Sequence, residues 1–173
     1  MVFRTLIWIV MLIGGVIGGY WLDSRWFPGI HDSWIFHLVS FTIGALLLKG
    51  VFTVSRNTGR ALARNGREGD LPRLETNVLV TSGRYALMRH PMHLGLLFFP
   101  LAIAFLVGSP SFILLIAPLE MLFMIVMIAT FEEREAIEKF GQAYREYQRN
   151  VPMFCLTFRC IKELFKKEQK YNS

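Results

Sequence analysis

Four apolar runs decide what this chain can become. Residues 5–22, 34–54 and 111–131 are each long enough, as helices, to cross a hydrocarbon layer about 30 Å thick. Residues 94–107 are as apolar but number only 14, roughly 21 Å of helix, which crosses only if the helix starts earlier or tilts. Hydrophobic residues make up 53% of the chain and mean hydropathy is +0.40, too apolar for an ordinary soluble domain. The expectation is an all-α fold: a polytopic membrane bundle of about four transmembrane helices, with residues 1–173 as one domain. A secretory signal is the competing reading of the first run, because Arg4 precedes it. No small-residue cleavage pattern follows and further spans do, which favours a retained helix.

Along the chain, Gly14, Gly15, Gly18 and Gly19 form two small-xxx-small pairs suited to close helix contact. Pro28-Gly29 marks a turn, and Trp21, Trp26 and Trp34 flank it as a membrane-interface belt would. Residues 55–93 are the longest polar segment, with turn signals at Asn57-Thr58-Gly59 and Asn65-Gly66 and a loop around 64–72. Gly108-Ser109-Pro110 folds 94–131 into a hairpin whose arms Pro100 and Pro118 kink. Glu120 in its second arm is either a functional carboxyl or a neutral, hydrogen-bonded one facing the bundle. Residues 132–150 continue the last helix, with Ile137, Phe140, Tyr144, Tyr147 and Val151 as an apolar stripe, a bend at Gly141 and a stop at Pro152. Residues 156–170 read as a basic amphipathic tail on anionic lipid or as a frayed polar terminus. Cys155 and Cys160 form no disulfide framework and read as two thiols.

Charge placement orients the bundle. With four spans, the termini and the 55–93 segment share one side. That side holds seventeen of the 19 Lys and Arg, and the opposite side holds Arg25 alone. The positive-inside rule therefore puts both termini and the long segment in the cytoplasm.

The stretch most suited to chemistry is Gly83 to Gly95. It sets Arg89, a fixed cation, beside His90, a titratable ring, and Pro91 pushes His90 away from the α region onto an extended bend. Such a bend at the mouth of a bundle suits an anionic or zwitterionic ligand. Arg, His and Tyr also serve as plain membrane-interface anchors. Glu132-Glu133 lies at the other end of the hairpin, so the two clusters come together. They can form a small-molecule site or a set of salt bridges that fixes the hairpin. His90, His93 and Glu132 include metal-ligand types, but Pro91 between the histidines argues against a shared helical face, so no metal is expected.

Asn77-Val78-Leu79-Val80-Thr81-Ser82-Gly83-Arg84-Tyr85, then Arg89-His90-Pro91-Met92-His93-Leu94-Gly95, resembles the core of the isoprenylcysteine carboxyl methyltransferase family and the related phospholipid N-methyltransferases. Glu132-Glu133, Phe140-Gly141, Tyr144, Tyr147 and Val151-Pro152 resemble its second motif, so the likeness covers about 77–154. The resemblance implies an integral-membrane enzyme that uses S-adenosylmethionine, bound in a cytoplasmic C-terminal pocket, to methylate a lipidic or small apolar acceptor. Carried across residue by residue, Asn77, Val78, Leu79 and Val80 line the nucleoside. Tyr85, His90, Pro91 and His93 hold the cofactor, and Glu132 binds its polar end. Glu132, Glu133 and Arg89 are the catalytic candidates. The bilayer is the expected partner, nucleic acid is not, and oligomeric state stays open.

Three positions depart from the family pattern. His93 stands in place of a Tyr and Met153 in place of a basic residue. Ile128 stands where the carboxyl methyltransferases have an Arg for the substrate carboxylate, which leaves a lipid amine, a thiol or another apolar acceptor open. Two alternatives remain: an NADPH-dependent membrane reductase of the same architecture, and a non-catalytic membrane scaffold.

Overall fold

The structure, a computed structural model, describes residues 2–70 and 75–166, with the side chains of residues 2–5 and 31 left out. Pro72, Arg73, Lys167 and Lys170, which the loop and tail expectations also used, lie outside the described residues, as does the side chain of Arg4. Every regular element among the described residues is helical. Among the described residues three helices are long and apolar enough to cross a membrane: Leu6–Trp26, Trp34–Asn65 and Phe112–Asn150. The protein is thus an integral membrane protein built of helices. The run expected to be short is a shorter apolar helical stretch, Pro91–Val107, beside the three long helices. The chain divides into two compact units, Met1–Lys49 with Leu97–Met127 and Gly50–Leu96 with Ile128–Ser173.

The first unit contains α1 (Val2–Trp26), the short α2 (Pro28–His31), the start of α3 (Trp34–Asn65), α5 (Phe99–Val107), a π-helical turn (Phe112–Ile116) and α6 (Ala117–Met127). Its core is Ala104, Phe112 and Ala117, all fully buried. Of the glycine pairs read from the sequence, Gly15 and Gly19 make the contact. A Cβ at Gly15 would sit 2.6 Å from the Phe112 ring and 2.9 Å from Glu120 Oε1, so a larger side chain cannot enter. The turn at 108–111 is sealed by polar side chains. Asp23 Oδ1 accepts from the Ser111 backbone N–H at 2.7 Å, and Ser109 Oγ accepts from that of Phe112 at 3.1 Å. These bonds satisfy donors that a helix start leaves open. Glu120 is 6% exposed beside Gly15, so it faces inward. Val10, Ile17 and Leu38 are 60–68% exposed, a surface suited to lipid and not to water.

The second unit starts with the rest of α3, which runs straight through Asn57-Thr58-Gly59. The expected turn there is overruled because the Thr58 hydroxyl is buried and donates to the Val54 carbonyl at 2.8 Å, a bond that a helix accommodates. The helix stops at Asn65, where the Gly66 N–H donates to the Leu62 carbonyl and Gly66 O accepts from Asn77 and Val78. A 3₁₀ turn (Gly83–Ala86) leads to α4 (Pro91–Leu97). Pro91 opens that helix, so the apolar run starts three residues earlier than residue 94, with proline at a position where its missing N–H costs nothing. A second π-helical turn (Ile128–Glu132) leads into α7 (Glu133–Asn150), which breaks at Gly141 with φ 57° and ψ −129°. That conformation is open to glycine and strained for other residues, and it produces the bend read from the sequence.

Extended chain from Val151 then reaches α8 (Phe158–Phe165), capped by Thr157 Oγ1, which accepts from the Cys160 N–H at 3.4 Å. The two cysteines are not separate thiols: Cys155 and Cys160 are joined. The Thr157 cap turns the chain so that their Cα atoms stand 5.9 Å apart, within bonding range.

Candidate active site

The second unit is organised around Glu133, which is 4% exposed. Arg89 approaches it as a fork, Nε to Oε1 at 2.8 Å and Nη2 to Oε2 at 3.1 Å. His90 Nε2 lies 2.8 Å from Oε1, the Tyr144 hydroxyl donates to the same oxygen at 3.1 Å, and Gln148 Nε2 donates to Oε2. Residues 112–131 are the apolar part of the last long helix, so Glu133 lies beyond it on the polar extension. Burial alone would raise the Glu133 pKa, but hydrogen bonds and charge from His90 and Arg89 outweigh it and hold the carboxyl at about 2. An ionised carboxylate only accepts, so the proton of this bond sits on His90 Nε2.

The chain after α7 fastens the same segment from behind. The Arg89 N–H donates to Pro152 O at 2.9 Å and the His90 N–H to Met153 O at 3.2 Å. Arg89 Nη1 also donates to the carbonyls of Gln148 and Val151. The Arg89-His90 pair is thereby tied, by its backbone N–H groups and both side chains, to residues 133–153 of the second motif.

A cavity opens on the other side of this network. Val78, Leu79 and Val80 form one wall, and Tyr85, Phe140, Tyr144 and Tyr147 bring aromatic rings. The Tyr147 hydroxyl donates to the Tyr85 carbonyl. Burial, with Tyr147 beside it, pushes the Tyr85 phenol above its ordinary range, so it stays a neutral donor. Arg89, His90, Pro91, His93 and Glu132 supply the polar side. His93 Nε2 stands 3.5 Å from Glu132 Oε2, both partly exposed to the cavity. The His90 and His93 rings meet edge to face at 5.4 Å, and the two histidines and Glu132 place ligand-type atoms within 4.8 Å of one another. Pro91 begins a helix and does not interrupt one, so it does not keep the two histidines apart, contrary to expectation.

The residues singled out from sequence separate into two layers. Val78, Leu79, Val80, Tyr85, Arg89, His90, Pro91, His93 and Glu132 line the cavity. Glu133 stands behind it. Asn77 also stands outside the lining: its side chain pairs with the Glu68 backbone, accepting at 2.8 Å and donating at 2.9 Å. Leu62, Thr76, Met92 and Ala136 line the cavity without having been singled out. Ala136 had a signal, since Glu132, Ala136 and Phe140 recur every four residues ahead of the break at Gly141. Leu62 had none, because nothing local places the C-terminal end of α3 beside α7.

The family described as phospholipid methyltransferase matches residues 39–143. Protein-S-isoprenylcysteine O-methyltransferase B of Arabidopsis thaliana is 28% identical over 136 residues, which cover 77% of this chain and 66% of that protein. The chain therefore spans slightly less than two thirds of that relative's length. No solved structure matches. The family match takes in both the Arg89-His90-Pro91 segment and Glu132-Glu133, whose side chains build the cavity's polar wall and its support, and the chain belongs to the phospholipid methyltransferase family.

Proposed function

We propose that the protein transfers a methyl group from S-adenosylmethionine to a lipidic or small apolar acceptor at the cytoplasmic face of its membrane, with residues 1–173 acting as one methyltransferase domain. The observation that carries this reading is the cavity lining. Glu132 is its carboxylate, and the aromatic side chains of Tyr85, Phe140, Tyr144 and Tyr147 line the same cavity. The cofactor is cationic at its sulfonium and at its ammonium group. A carboxylate and π faces are what a cation of that kind seeks in a partly dry cleft. The apolar wall of Val78, Leu79 and Val80 suits a nucleoside.

Bound there, S-adenosylmethionine supplies a methyl group that is already activated. What remains for the chain is to position and to exclude water. Glu132 and His93 hold the polar end, and His90 and Pro91 form the floor. Glu133 and Arg89 serve catalysis by fixing His90 and Tyr144. Ile128 is 2% exposed and uncharged, so it offers nothing to an acceptor carboxylate, which favours a lipid amine, a thiol or another apolar group.

Calorimetry on the purified protein tests the site. S-adenosylhomocysteine is expected to bind and NADPH is not. His90→Ala and Glu132→Gln are each expected to weaken binding about tenfold or more, the size of a lost charge-assisted hydrogen bond, with the fold kept; His90→Ala also lowers thermal stability, because it takes one bond from the buried Glu133. Unchanged affinity in both variants would remove the assignment. Binding of NADPH in place of S-adenosylhomocysteine would make the protein a reductase, and binding of neither would make it a scaffold. The His90, His93 and Glu132 cluster favours one further reading, a divalent metal. Zinc binding without cofactor, lost in His93→Ala, is its signature. Labelled S-adenosylmethionine with membrane extract then identifies the acceptor by the species that gains the methyl.

A further inference from the structure

Helix α8 carries two apolar faces, and the fold uses one. Cys160 and Leu164 point inward and are buried. Asn57 Nδ2 reaches the carbonyls of Leu164 and Lys166 at 3.4 Å each, and Arg84 Nε donates to the Glu163 carbonyl at 2.9 Å. The inner face is therefore pinned to α3 and to the Gly83–Ala86 turn. On the other side, Phe158 is 83% exposed, Ile161 39% and Phe165 49%, recurring at i, i+3 and i+7, with Leu156 at 67% just ahead of the helix. Arg159, Lys162 and Lys166 occupy the adjoining strip and are exposed. Glu163 faces Lys166, which leaves Arg159 and Lys162 with the helix's remaining positive charge.

The depth of this helix is set by its neighbour. The Phe165 ring lies 3.7 Å from where a Cβ on Gly50 would stand, so α8 packs against α3 at that residue. There α3 changes character: Val51, Phe52 and Val54 are followed by Arg56, Arg60 and Arg64. Helix α8 lies along the passage from apolar to charged side chains, the level at which a bilayer passes from acyl chains to headgroups. An exposed apolar stripe flanked by cations, at that level, is the pattern of a helix lying in the interface plane.

We propose that α8 docks on an anionic phospholipid surface, with Leu156, Phe158, Ile161 and Phe165 in the acyl boundary and Arg159 and Lys162 at the phosphates. This docking goes beyond methyl transfer and stands whether or not the cavity binds S-adenosylmethionine.

Photocrosslinking of the full chain in lipid nanodiscs tests it. The photoreactive residue p-benzoylphenylalanine replaces Phe158 in one protein and Glu138, an exposed α7 residue, in a control. Discs hold either phosphatidylcholine alone or equal parts phosphatidylcholine and phosphatidylglycerol. The expected result is phospholipid labelling from position 158 in the mixed discs, well above that from position 138. Labelling is expected to fall about fivefold in pure phosphatidylcholine and in an Arg159→Gln, Lys162→Gln double variant. Labelling from 158 no greater than from 138, equal labelling in the two kinds of disc, or crosslinks to a second protein chain in place of lipid would each overturn the proposal. Phe158 is almost fully exposed, so its replacement leaves the packing untouched.

Discussion

Glu133 accepts five hydrogen bonds, two from Arg89 and one each from His90, Tyr144 and Gln148. Two carboxylate oxygens offer about four lone-pair sites, so this acid has no capacity left for a ligand. Glu133→Gln keeps the shape but strands the Arg89 charge in a buried site. It is expected to lower stability by about 3 kcal/mol, measured by chemical unfolding in detergent. The pH dependence follows from the lowered pKa. The group's stabilising contribution is complete above its ordinary value of 4.5 and fades as pH falls toward about 2. Wild type should lose stability across that window relative to Glu133→Gln, and parallel curves would contradict the assignment. That Arg89 and an acid of the second motif would meet was legible, because each motif borders the same hairpin. Which acid would take the guanidinium was not. The π-helical turn Ile128–Glu132 sets the angular positions of both carboxylates, and no residue type in it announces the extra residue in the turn.

At the scale of elements, α7 works as two short helices set at an angle by Gly141. The first carries Glu132's successors Glu133, Ala136 and Phe140, and the second carries Tyr144 and Tyr147. Gly141→Ala forces a side chain into a backbone region that suits glycine. It is expected to cost about 2 kcal/mol of stability and to weaken S-adenosylhomocysteine binding, because Phe140 no longer shares one wall with Tyr144 and Tyr147. A variant with wild-type melting and affinity would refute the role of the bend. Gly141 was readable because a glycine inside an otherwise helical pattern has few other reasons to be there. The tertiary setting of Asn57-Thr58-Gly59 was not, since burial of Thr58 turns a turn-forming triplet into ordinary helix. Nor was the Cys155–Cys160 bond, which depends on a helix cap at Thr157 and not on the spacing alone.

For the molecule as a whole, the apolar runs announced a membrane helical protein and the Lys and Arg placement supports a direction across the bilayer. If the proposed orientation holds, an epitope inserted at residues 27–33 is reached by antibody from the non-cytoplasmic face of intact vesicles. One inserted at 68–70 is reached only when the cytoplasmic face is opened. The reverse pattern would invert the protein and move the cavity's mouth to the other compartment. The short 94–107 run shows the limit of length as a guide: the helix breaks at Phe98, ahead of Pro100, and a π turn stands before Pro118, the two prolines the sequence marks as kinks. Arg84 grips α8 through the main-chain oxygens of Glu163 and Lys166, and not through their side chains. Such a grip is blind to residue identity: exchanging the letters of this tail leaves it in place, while changing its reach, the number of residues between Pro152 and that final helical turn, releases it.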